Sequence, residues 1–412
     1  MVVAADPARL LPGRLPDPPA GRTVVIAAGK AAASMAKAVE ERWPGELSGL
    51  AVTRYHHSLP CSRIEVVEAG HPLPDSSCSG AAERVLALVD GLTADDLVLV
   101  LLSGGGSSLL TLPAPGLSLD DVREVNHQLL RSGAPIAEIN CVRKHLSAIT
   151  GGRLAAAAWP ATVITFAISD VPGDDPAVIA SGPTIADPTT FADARQVCSR
   201  YALALPPAVR RHLEEARAET PKAGDSRLER SRYVMLATPA VALTAAAAAA
   251  RAAGIEPVVL GAEVEGEARA VAAEHASLLR RLRAEAPGER QPVLILSGGE
   301  TTVTVKGDGR GGRNTEYLLA LTIALNGTAA PDAAEVGVYA LAADTDGIDG
   351  TEDDAGAFLR PDTLERARGA GLDPRSFLAA NDSYGFFSAL GDLLVTGPTR
   401  TNVNDFRAIL AL

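Results

Sequence analysis

The chain has 412 residues and a formal net charge of −12. The length predicts two or perhaps three domains, since one domain usually holds about 100 to 200 residues. The acidic balance excludes a generally basic nucleic-acid binder, which needs Lys and Arg to neutralise phosphates. Only 4% of the residues are aromatic although 47% are hydrophobic, so Ala, Val and Leu dominate the apolar fraction. That mixture suits helices packed on a buried sheet.

The sequence offers no candidate membrane span or export signal. The most apolar helix-like run, residues 241–254, is interrupted by Thr244 and Arg251 and is shorter than the roughly 20 residues that a span needs. The first residues lack the basic and apolar parts of a signal peptide. The four cysteines form no CxxC pair, which predicts buried thiols instead of a zinc or disulfide framework. We expect a cytoplasmic protein without a membrane or nucleic-acid partner.

Short apolar runs alternate with helical patterns, which is typical of an α/β fold whose parallel sheet carries helices on both faces. The predicted strands are, in chain order, residues 23–28, 50–53, 64–67, 97–102, 162–168, 233–237, 257–260, 293–296 and 336–341. The predicted helices include residues 31–42, 78–89, 142–158, 263–283 and 317–325.

Residues 216–232 lose apolar periodicity and collect charge, Pro and Gly, which indicates a linker. We place the boundary near residue 225, so the predicted domains are 1–225 and 226–412.

Two predicted strands each end in Ser-Gly-Gly. The first is followed by Ser103, Gly104, Gly105, Gly106 and Ser107, and the second by Ser297, Gly298, Gly299 and Glu300. A glycine turn at the carboxyl end of a parallel strand lets backbone N–H groups approach an anion. A tight turn without a ligand is the structural alternative, and for the first segment the two are equally supported. The standard P-loop and the GxGxxG dinucleotide fingerprint are absent, so neither site is well supported.

Lysine is rare, with five residues against 33 arginines, so each lysine is a candidate for a specific role. Lys30 lies at the mouth of the first strand-to-helix turn, where its ammonium could meet a phosphate or carboxylate. A solvated helix start is the alternative. Lys144 forms a basic cluster with Arg143 and His145, whose alternative is a helix face that pairs with carboxylates on the surface.

Two acidic loops follow predicted strands. The first begins at Asp170 and adds Asp174 and Asp175; a magnesium site, a general base and a capped loop are comparable interpretations. The second begins at Asp344 and Asp346. It does not meet the EF-hand pattern, so catalytic magnesium fits better than structural calcium.

A glycine loop at residues 307–312 carries Arg310 and leads to Arg313 and Asn314, just before the predicted helix 317–325. Arginine offers a planar set of donors for phosphate or carboxylate, and a helix N-terminus adds backbone donors. Four glycines in six residues favour an anion site over a solvated connection. This loop is the strongest single anion-site candidate in the sequence.

These segments together make the chain resemble a known family. The motifs that carry the resemblance are AAGKAAASMA at 27–36, EAGHPLPD at 68–75, LLSGGGSSLL at 101–110, INCVRKHLSAITGGRLA at 139–155, ISDVPGDDPAVIASGPTIADPTTF at 168–191, LSGGETTVTVKGDGRGGRNTEY at 296–317, LAADTDGIDGTEDDAGAF at 341–358 and GDLLVTGPTRTNVNDF at 391–406. The chain is similar to the glycerate 2-kinases that carry a C-terminal MOFRL domain, here about residues 290–412. Members of this family are often labelled hydroxypyruvate reductases.

The resemblance implies two α/β domains, the first Rossmann-like, and transfer of phosphate from ATP, with Mg²⁺, to the 2-hydroxyl of D-glycerate. By the same resemblance, Lys30 and Arg313 are the catalytic pair. Phosphoryl transfer asks mainly for positioning and positive charge, which agrees with the candidates above. We hypothesise that Asp170 joins the catalytic set and that Asp344 and Asp346 hold the metal, although which aspartate acts as base stays open. The predicted substrate- and phosphate-binding residues are Ser103, Gly104, Gly105, Gly106, Ser107, Lys144, Ser297, Gly298, Gly299, Glu300 and Asn314.

Two rival functions remain at this stage. A nicotinamide-dependent hydroxypyruvate reductase would handle almost the same small acid, but the dinucleotide fingerprint is missing. A non-catalytic sugar-acid binding protein would be expected to carry a DNA-binding partner or a basic surface, and the acidic sequence shows neither. The sequence leaves the oligomeric state open, a homo-oligomer included.

Overall fold

The computed structural model describes residues 1–285, 292–326 and 337–412. They form two compact units. The N-terminal unit is Asp6–Ala237, and the C-terminal unit is Met1–Ala5 with Thr238–Leu412. The boundary near residue 225 stays a prediction; the strand that ends at Ala237 belongs to the N-terminal sheet. None of the helices described is long and apolar enough to cross a membrane.

The N-terminal unit alternates strands and helices along the chain. Its strands are β1 (Thr23–Ala28), β2 (Ser48–Arg54), β3 (Ile64–Ala69), β4 (Leu97–Leu102), β5 (Thr162–Ile168) and β6 (Ser231–Ala237). Its helices are α1 (Pro7–Leu10), α2 (Ala32–Arg42), α3 (Ser76–Val89), α4 (Gly106–Leu109), α5 (Leu119–Arg131), α6 (Ile136–His145), α7 (Arg153–Ala158), α8 (Phe191–Arg200) and α9 (Pro207–Glu215).

The six strands of this unit form one parallel sheet in the order β3-β2-β1-β4-β5-β6. Every residue of β1 and β4 is buried, which requires cover on both faces. Val24 and Ile26 pack with residues of α3 and α7 in one core, while α2 contacts β1 and β2. The predicted Rossmann-like parallel sheet is therefore confirmed. Its strand order reverses between β1 and β4, where open α/β sheets bind ligands beyond the carboxyl ends.

The C-terminal unit has its own sheet. Its strands are β7 (Pro257–Val259), β8 (Gly266–Glu267), β9 (Val293–Gly299), β10 (Thr301–Thr302), β11 (Val338–Asp344), β12 (Gly356–Leu359), β13 (Leu393–Leu394) and β14 (Asp405–Ala411). Its helices are α10 (Pro239–Ala252), α11 (Ala268–Glu285), α12 (Arg313–Leu325), α13 (Thr363–Gly369), α14 (Pro374–Ala379) and α15 (Ser383–Leu390).

This second sheet is mixed, in the order β13-β12-β11-β14-β9-β7. The prediction of parallel strands is wrong here, because β14 pairs antiparallel with both β11 and β9. Among the described pairs of this sheet, only β7 and β9 run parallel, and the separate two-stranded pair of β8 and β10 is parallel as well. The prediction missed β14 because its buried positions include the charged residues Asp405 and Arg407, so it does not form an apolar run.

Several predicted elements have different bounds in the structure. The helix predicted at 142–158 is broken into α6 and α7, because Gly151 and Gly152 adopt left-handed φ values of 60° and 82°. The helix predicted at 263–283 begins only at Ala268, since residues 266–267 pair with 301–302. The helix predicted at 317–325 begins earlier, at Arg313. The strand predicted at 336–341 begins at Val338 in the structure, and Val336 lies outside the described residues.

Candidate functional site

Three predicted site residues lie at the carboxyl edge of the N-terminal sheet. Lys30 follows β1 after one glycine, Ser103 directly follows β4, and Asp170 follows β5 after one serine. Because β1, β4 and β5 are adjacent parallel strands, their carboxyl ends meet at the same edge. Lys30 and Asp170 are both half-buried. The fold therefore places a cation and a carboxylate at the edge where ligands of such sheets bind.

The segment after β4 is a tight turn tied to the start of α2. Ser103 is fully buried, and its Oγ accepts a hydrogen bond of 2.9 Å from the Ala31 N–H. The Gly104 carbonyl accepts one of 2.8 Å from the Lys30 N–H. Ser103 and Gly104 thus position the Lys30 backbone, and a ligand-binding role for them stays a prediction.

The end of this turn packs against two other segments. Gly105 has φ +82°, and a Cβ there would come within 2.8 Å of His71 Nε2. Ser107 Oγ lies 2.9 Å from Ser181 Oγ, and Ser181 in turn donates to Asn140 Oδ1 at 3.3 Å. These contacts fix the turn between the loop at His71 and the segment at Ser181.

The segment that meets the turn is itself strained. Ala180 and Ser181 have φ values of 50° and 57°, a left-handed conformation that costs a residue with a Cβ about 1–2 kcal/mol. Both residues are buried. Strain of this kind concentrates at functional sites, so Ser181 joins the candidate site although the sequence reasoning did not select it.

The basic cluster on α6 divides in the structure. Lys144 Nζ lies 3.4 Å from Asp187 Oδ1, and both side chains are buried. His145 Nε2 lies 2.9 Å from Glu219 Oε1. Lys144 therefore pairs with a carboxylate in the interior instead of on the surface, whereas the buried His145 ring contacts the exposed carboxylate of Glu219. A ligand-binding role for Lys144 has no support from this geometry and stays a prediction.

Arg143 differs from its two neighbours, because it lines a cavity of about 280 Å³ together with Gly105, Ser107 and Ser181. The cavity therefore adjoins the turn after β4. A larger depression of about 710 Å³ lies over β11, β12 and β14, and none of the predicted site residues lines it.

In the C-terminal unit, Arg313 is the first residue of α12 and is surrounded by carboxylates. Its Nε lies 2.9 Å from Asp405 Oδ1, its Nη2 2.7 Å from Asp344 Oδ2 and its Nη1 2.9 Å from Glu300 Oε1. Burial alone would lower the pKa of the guanidinium, but the three carboxylates raise it above the ordinary value. Asp344 and Asp405 are buried, whereas the Glu300 side chain is 52% exposed. Glu300 is therefore the partner that an incoming anion could replace most easily.

Asn314, the next residue of α12, is fully buried. Its Nδ2 donates to Asp349 Oδ1 at 3.2 Å and to Asp405 Oδ1 at 2.8 Å. The Asp349 carboxylate also accepts the backbone N–H groups of Asn314 and Thr315 at 2.9 and 2.8 Å, where a carboxylate stabilises a helix N-terminus. The amide donors of Asn314 thus hold the acidic loop to the helix, and its predicted role as a ligand contact stays a prediction.

The predicted metal ligands Asp344 and Asp346 are both buried. Asp344 Oδ1 accepts the Asp346 N–H at 2.9 Å, and Asp346 Oδ1 accepts the Ile348 N–H at 2.8 Å. Within residues 1–285, 292–326 and 337–412, no group of three or more His, Cys, Asp or Glu side chains is arranged to hold a metal ion. A closed protein cage for a metal is therefore not seen among these residues.

The second Ser-Gly-Gly segment is not the predicted turn. β9 continues through Ser297, Gly298 and Gly299, with Gly298 opposite Phe406 and Gly299 opposite Asp405. The reason is the antiparallel partner β14, which supplies backbone hydrogen bonds to the segment. The binding roles predicted for Ser297, Gly298, Gly299 and Glu300 stay predictions.

The buried side chain of Arg407 supports this segment from β14. It donates to the Gly298 carbonyl at 3.3 Å and to Thr301 Oγ1 at 3.1 Å, and it pairs with Asp405 at 2.7 Å. Asp405 thereby links Arg407 to Arg313. Neither Asp405 nor Arg407 was selected from the sequence, where only the charged residues inside an otherwise apolar C-terminal segment could have marked them.

The glycines of the loop at 307–312 have a packing role. A Cβ at Gly309 would lie 2.6 Å from the Ala380 carbonyl oxygen, and a Cβ at Gly307 would clash with the same oxygen. Arg310 pairs with Glu352 at 2.9 Å and lies over the Tyr384 ring at 4.2 Å. Close packing therefore explains the glycines without a ligand, which the sequence argument had not considered.

Comparisons with known proteins extend over both units. Residues 1–214 match a family described as a domain of unknown function, DUF4147, and residues 293–405 match the MOFRL family. A D-glycerate 2-kinase of Thermotoga maritima is 40% identical over 98% of this chain and 94% of its own length. The chain belongs to the MOFRL-containing glycerate kinase family.

Two further comparisons support membership of this glycerate kinase family. The crystal structure of a glycerate kinase from Thermotoga maritima superposes with a TM-score of 0.87 at 39% identity, covering 100% of this chain and 96% of that one. A relative from Agrobacterium vitis, provisionally named a hydroxypyruvate reductase, is 54% identical over 99% of this chain and 92% of its own length. The names glycerate kinase and hydroxypyruvate reductase thus both occur among relatives that are similar in length to this chain.

Proposed function

We propose that this protein is an ATP-dependent glycerate 2-kinase, which transfers the γ-phosphoryl group of ATP to the 2-hydroxyl of D-glycerate. The hydroxyl oxygen forms the new bond to phosphorus, the bond to the bridging oxygen of ADP breaks, and the hydroxyl proton passes to a base. The products are 2-phosphoglycerate and ADP.

One observation carries this proposal. The D-glycerate 2-kinase relative matches 98% of this chain, so the match includes the segment around Lys30 and the segment around Arg313. A fold shared over part of the chain would be weak evidence for a reaction. A match across both units supports a common reaction.

The side chains at the two candidate positions suit phosphoryl transfer, which needs positive charge around the transferred oxygens. We assign Lys30 a role as a compact positive charge at the carboxyl edge of β1. Arg313 would contribute its fork of donors once the exposed Glu300 gives way to a phosphate oxygen. Asp170, at the same sheet edge as Lys30, is the proposed base.

ATP use follows from the kinase assignment, and Mg²⁺ is proposed to accompany the nucleotide. Magnesium usually retains waters and binds through one or two carboxylates plus substrate phosphates. Asp344 and Asp346 fit that limited role, since Asp344 ends β11 and Asp346 follows two residues later, so that two buried carboxylates lie at the same strand end. When bound there, the ion would neutralise charge on the phosphates. D-Glycerate as substrate, a cytoplasmic location and the absence of nucleic-acid and membrane partners belong to the same proposal.

The reductase name of the Agrobacterium vitis relative makes NAD(P)H-dependent reduction of hydroxypyruvate the second candidate. The two functions are separable in one experiment on the purified protein. One assay supplies D-glycerate with Mg-ATP, and the other supplies hydroxypyruvate with NADH or NADPH. Coupling through enolase with and without phosphoglycerate mutase distinguishes 2- from 3-phosphoglycerate. A coupled signal without the mutase would show that 2-phosphoglycerate forms directly and would support the 2-kinase. Nicotinamide oxidation without a phosphorylated product would overturn the kinase proposal.

The role of Arg313 is tested by Arg313→Lys, which keeps the charge near Asp344 and Asp405 but loses the fork. We expect kcat to fall by about 10²–10³, the usual loss of one transition-state donor. Arg310→Lys is the matched control on the preceding loop and should keep kcat. Thermal unfolding of both variants separates a catalytic loss from a folding loss. Unchanged kcat in Arg313→Lys would remove the fork from the mechanism.

A further inference from the structure

The guanidinium of Arg143 is an incompletely paired cation inside the cavity beside the β4 turn. Its Nε donates to Asn126 Oδ1 at 2.9 Å. Among the described residues, its two terminal nitrogens have no hydrogen-bond partner and no carboxylate lies within ion-pairing distance. Burial lowers the pKa of this group. Because the side chain is half-buried, its charge is only partly hydrated, and an anion in the cavity would stabilise it.

A neighbouring arginine on the same cavity wall shows the contrast. Arg123 also lines the cavity, but its Nη1 pairs with Asp120 at 3.2 Å and its Nε donates to the Pro74 carbonyl at 2.7 Å. Lys144 and His145, which flank Arg143 in sequence, pair with buried or partly buried carboxylates. The missing partner is therefore specific to Arg143.

The cavity contains a second unsatisfied group. Thr150 is 4% exposed and lines the cavity, and its Oγ1 has no hydrogen-bond partner among the described residues. Buried hydroxyls in native proteins are almost always hydrogen-bonded. Two residues that line the same cavity, one cationic and one neutral, thus each have a polar group without a hydrogen-bond partner among the described residues.

The size and lining of the cavity restrict what could satisfy both groups. Its volume of about 280 Å³ lies below the range of about 300–1,000 Å³ for drug-sized ligands, so it suits a small molecule better than a whole nucleotide. Ser107, Ser108 and Ser181 add hydroxyls to the wall. Arginine and hydroxyls together recognise a carboxylate that carries neighbouring hydroxyl groups.

We propose that this cavity is the binding site for the substrate's carboxylate, with Arg143 pairing with the carboxylate and Thr150 hydrogen-bonding to a carboxylate or hydroxyl oxygen of a small hydroxy acid. The assignment rests on the proposed function for the identity of the acid, D-glycerate. Nucleotide phosphate is the other source of an oxyanion, and the test distinguishes the two.

The test compares Arg143→Gln, Arg143→Lys and Thr150→Val with the control Arg131→Gln, because Arg131 is exposed at the end of α5 and does not line the cavity. Steady-state kinetics give KM for D-glycerate and for Mg-ATP separately. We expect Arg143→Gln to raise KM for glycerate by about 10- to 100-fold with KM for ATP within about twofold, the loss typical of a charge-assisted contact. Arg143→Lys should recover part of the lost affinity for glycerate, and Thr150→Val should raise KM for glycerate less than Arg143→Gln does. Arg131→Gln should leave both KM values near those of the wild type. Thermal unfolding confirms that each variant folds.

Isothermal titration with D-glycerate alone separates this inference from the kinase assignment. If wild type binds glycerate and Arg143→Gln does not, the site stands even when no phosphorylated product forms. If the kinase is active but Arg143→Gln keeps its KM and affinity for glycerate, the site is wrong while the kinase stands. A rise in KM for ATP alone would assign the cavity to phosphate and overturn the carboxylate site.

Discussion

The two Ser-Gly-Gly segments share a sequence and differ in structure. After β4, Ser103 to Ser107 form a turn into a short helix, because the parallel sheet offers the chain no further strand partner at that edge. In the C-terminal unit, Ser297 to Gly299 continue β9, because β14 pairs with them. The same residues therefore serve as a turn or as a strand according to the partner that the fold provides.

The charges around the two segments differ as well. The second segment lies beside a network in which Arg313 and Arg407 share Asp405. The first segment adjoins a cavity with Arg143, to which no carboxylate of the described residues is paired. The buried pair of Arg407 and Asp405 contributes rigidity, whereas a cation without a carboxylate partner in a cavity can accept a ligand. Arg313 lies between these extremes, because its partner Glu300 is exposed and could give way to an anion.

The largest expected effect lies in the ion network behind the second segment. Arg407→Ala would leave Asp405 buried without this partner and remove a donor from the Gly298 carbonyl. We expect a loss of about 3–5 kcal/mol in the free energy of unfolding, the usual cost of breaking a buried pair. Chemical denaturation measures it. The control Arg310→Ala removes an exposed pair and should cost about 0–1 kcal/mol; equal losses would contradict the contrast.

A second prediction concerns Asp354, a buried residue in the acidic loop of the C-terminal unit. In the described part of the chain neither of its carboxylate oxygens has a hydrogen-bond partner. Burial, with a smaller contribution from the charge of Asp349, raises its pKa to about 7. The folded protein therefore holds this proton more tightly than the unfolded chain does. The contribution of Asp354 to the free energy of unfolding should fall as pH rises from about 4 to about 7.

Asp354→Asn removes the titration. The variant should lose this part of the pH dependence and gain up to about 4 kcal/mol at pH 8 relative to wild type. Denaturation curves at pH 5 and pH 8 measure both effects. Asp353→Asn, at the exposed neighbouring position, should keep the wild-type slope. A slope that is the same in Asp354→Asn and wild type would mean that Asp354 does not titrate in this range.

Local apolar patterns and distant pairings also explain which strands could be predicted from the sequence. β1, β4 and β5 have the predicted bounds because their mostly apolar runs are buried on both faces. β14 was missed because charged residues occupy its buried positions, and one of them, Asp405, is paired with Arg313, 92 positions away. The pattern of apolar residues along the chain indicates local secondary structure but not which distant residues form ion pairs.

The candidate site shows the same limit. Lys30, Ser103 and Asp170 could be placed on one sheet edge because each lies within two residues of the end of a strand. The carboxylates around Arg313 come from three separate segments, so its environment had no local signal. Arg143 lies beside Lys144 in sequence, and only the structure shows that one is paired with a carboxylate and the other is not.

The backbone of the two segments offers a smaller test. Gly105 has φ +82°, and a Cβ added there would lie 2.8 Å from His71 Nε2. Gly298 lies in a strand, and a Cβ added there would lie 3.3 Å from Ala262 Cα. Gly105→Ala should cost about 1–3 kcal/mol from the left-handed φ and the close contact. Gly298→Ala should cost less than about 1 kcal/mol. Thermal unfolding ranks them, and the reverse order would mean that the strand tolerates a side chain less well than the turn.

The smallest effect tests how the first turn is held. Ser107 and Ser181 lie 2.9 Å apart through their hydroxyls, and Ser181 is kept in a left-handed conformation there. A double-mutant cycle of Ser107→Ala and Ser181→Ala should give a coupling of about 1 kcal/mol, the net value of one hydrogen bond. Equilibrium denaturation of the four proteins measures it. A coupling near zero would mean that packing against Gly106 and Asn140, not this hydrogen bond, holds the strained segment on the turn.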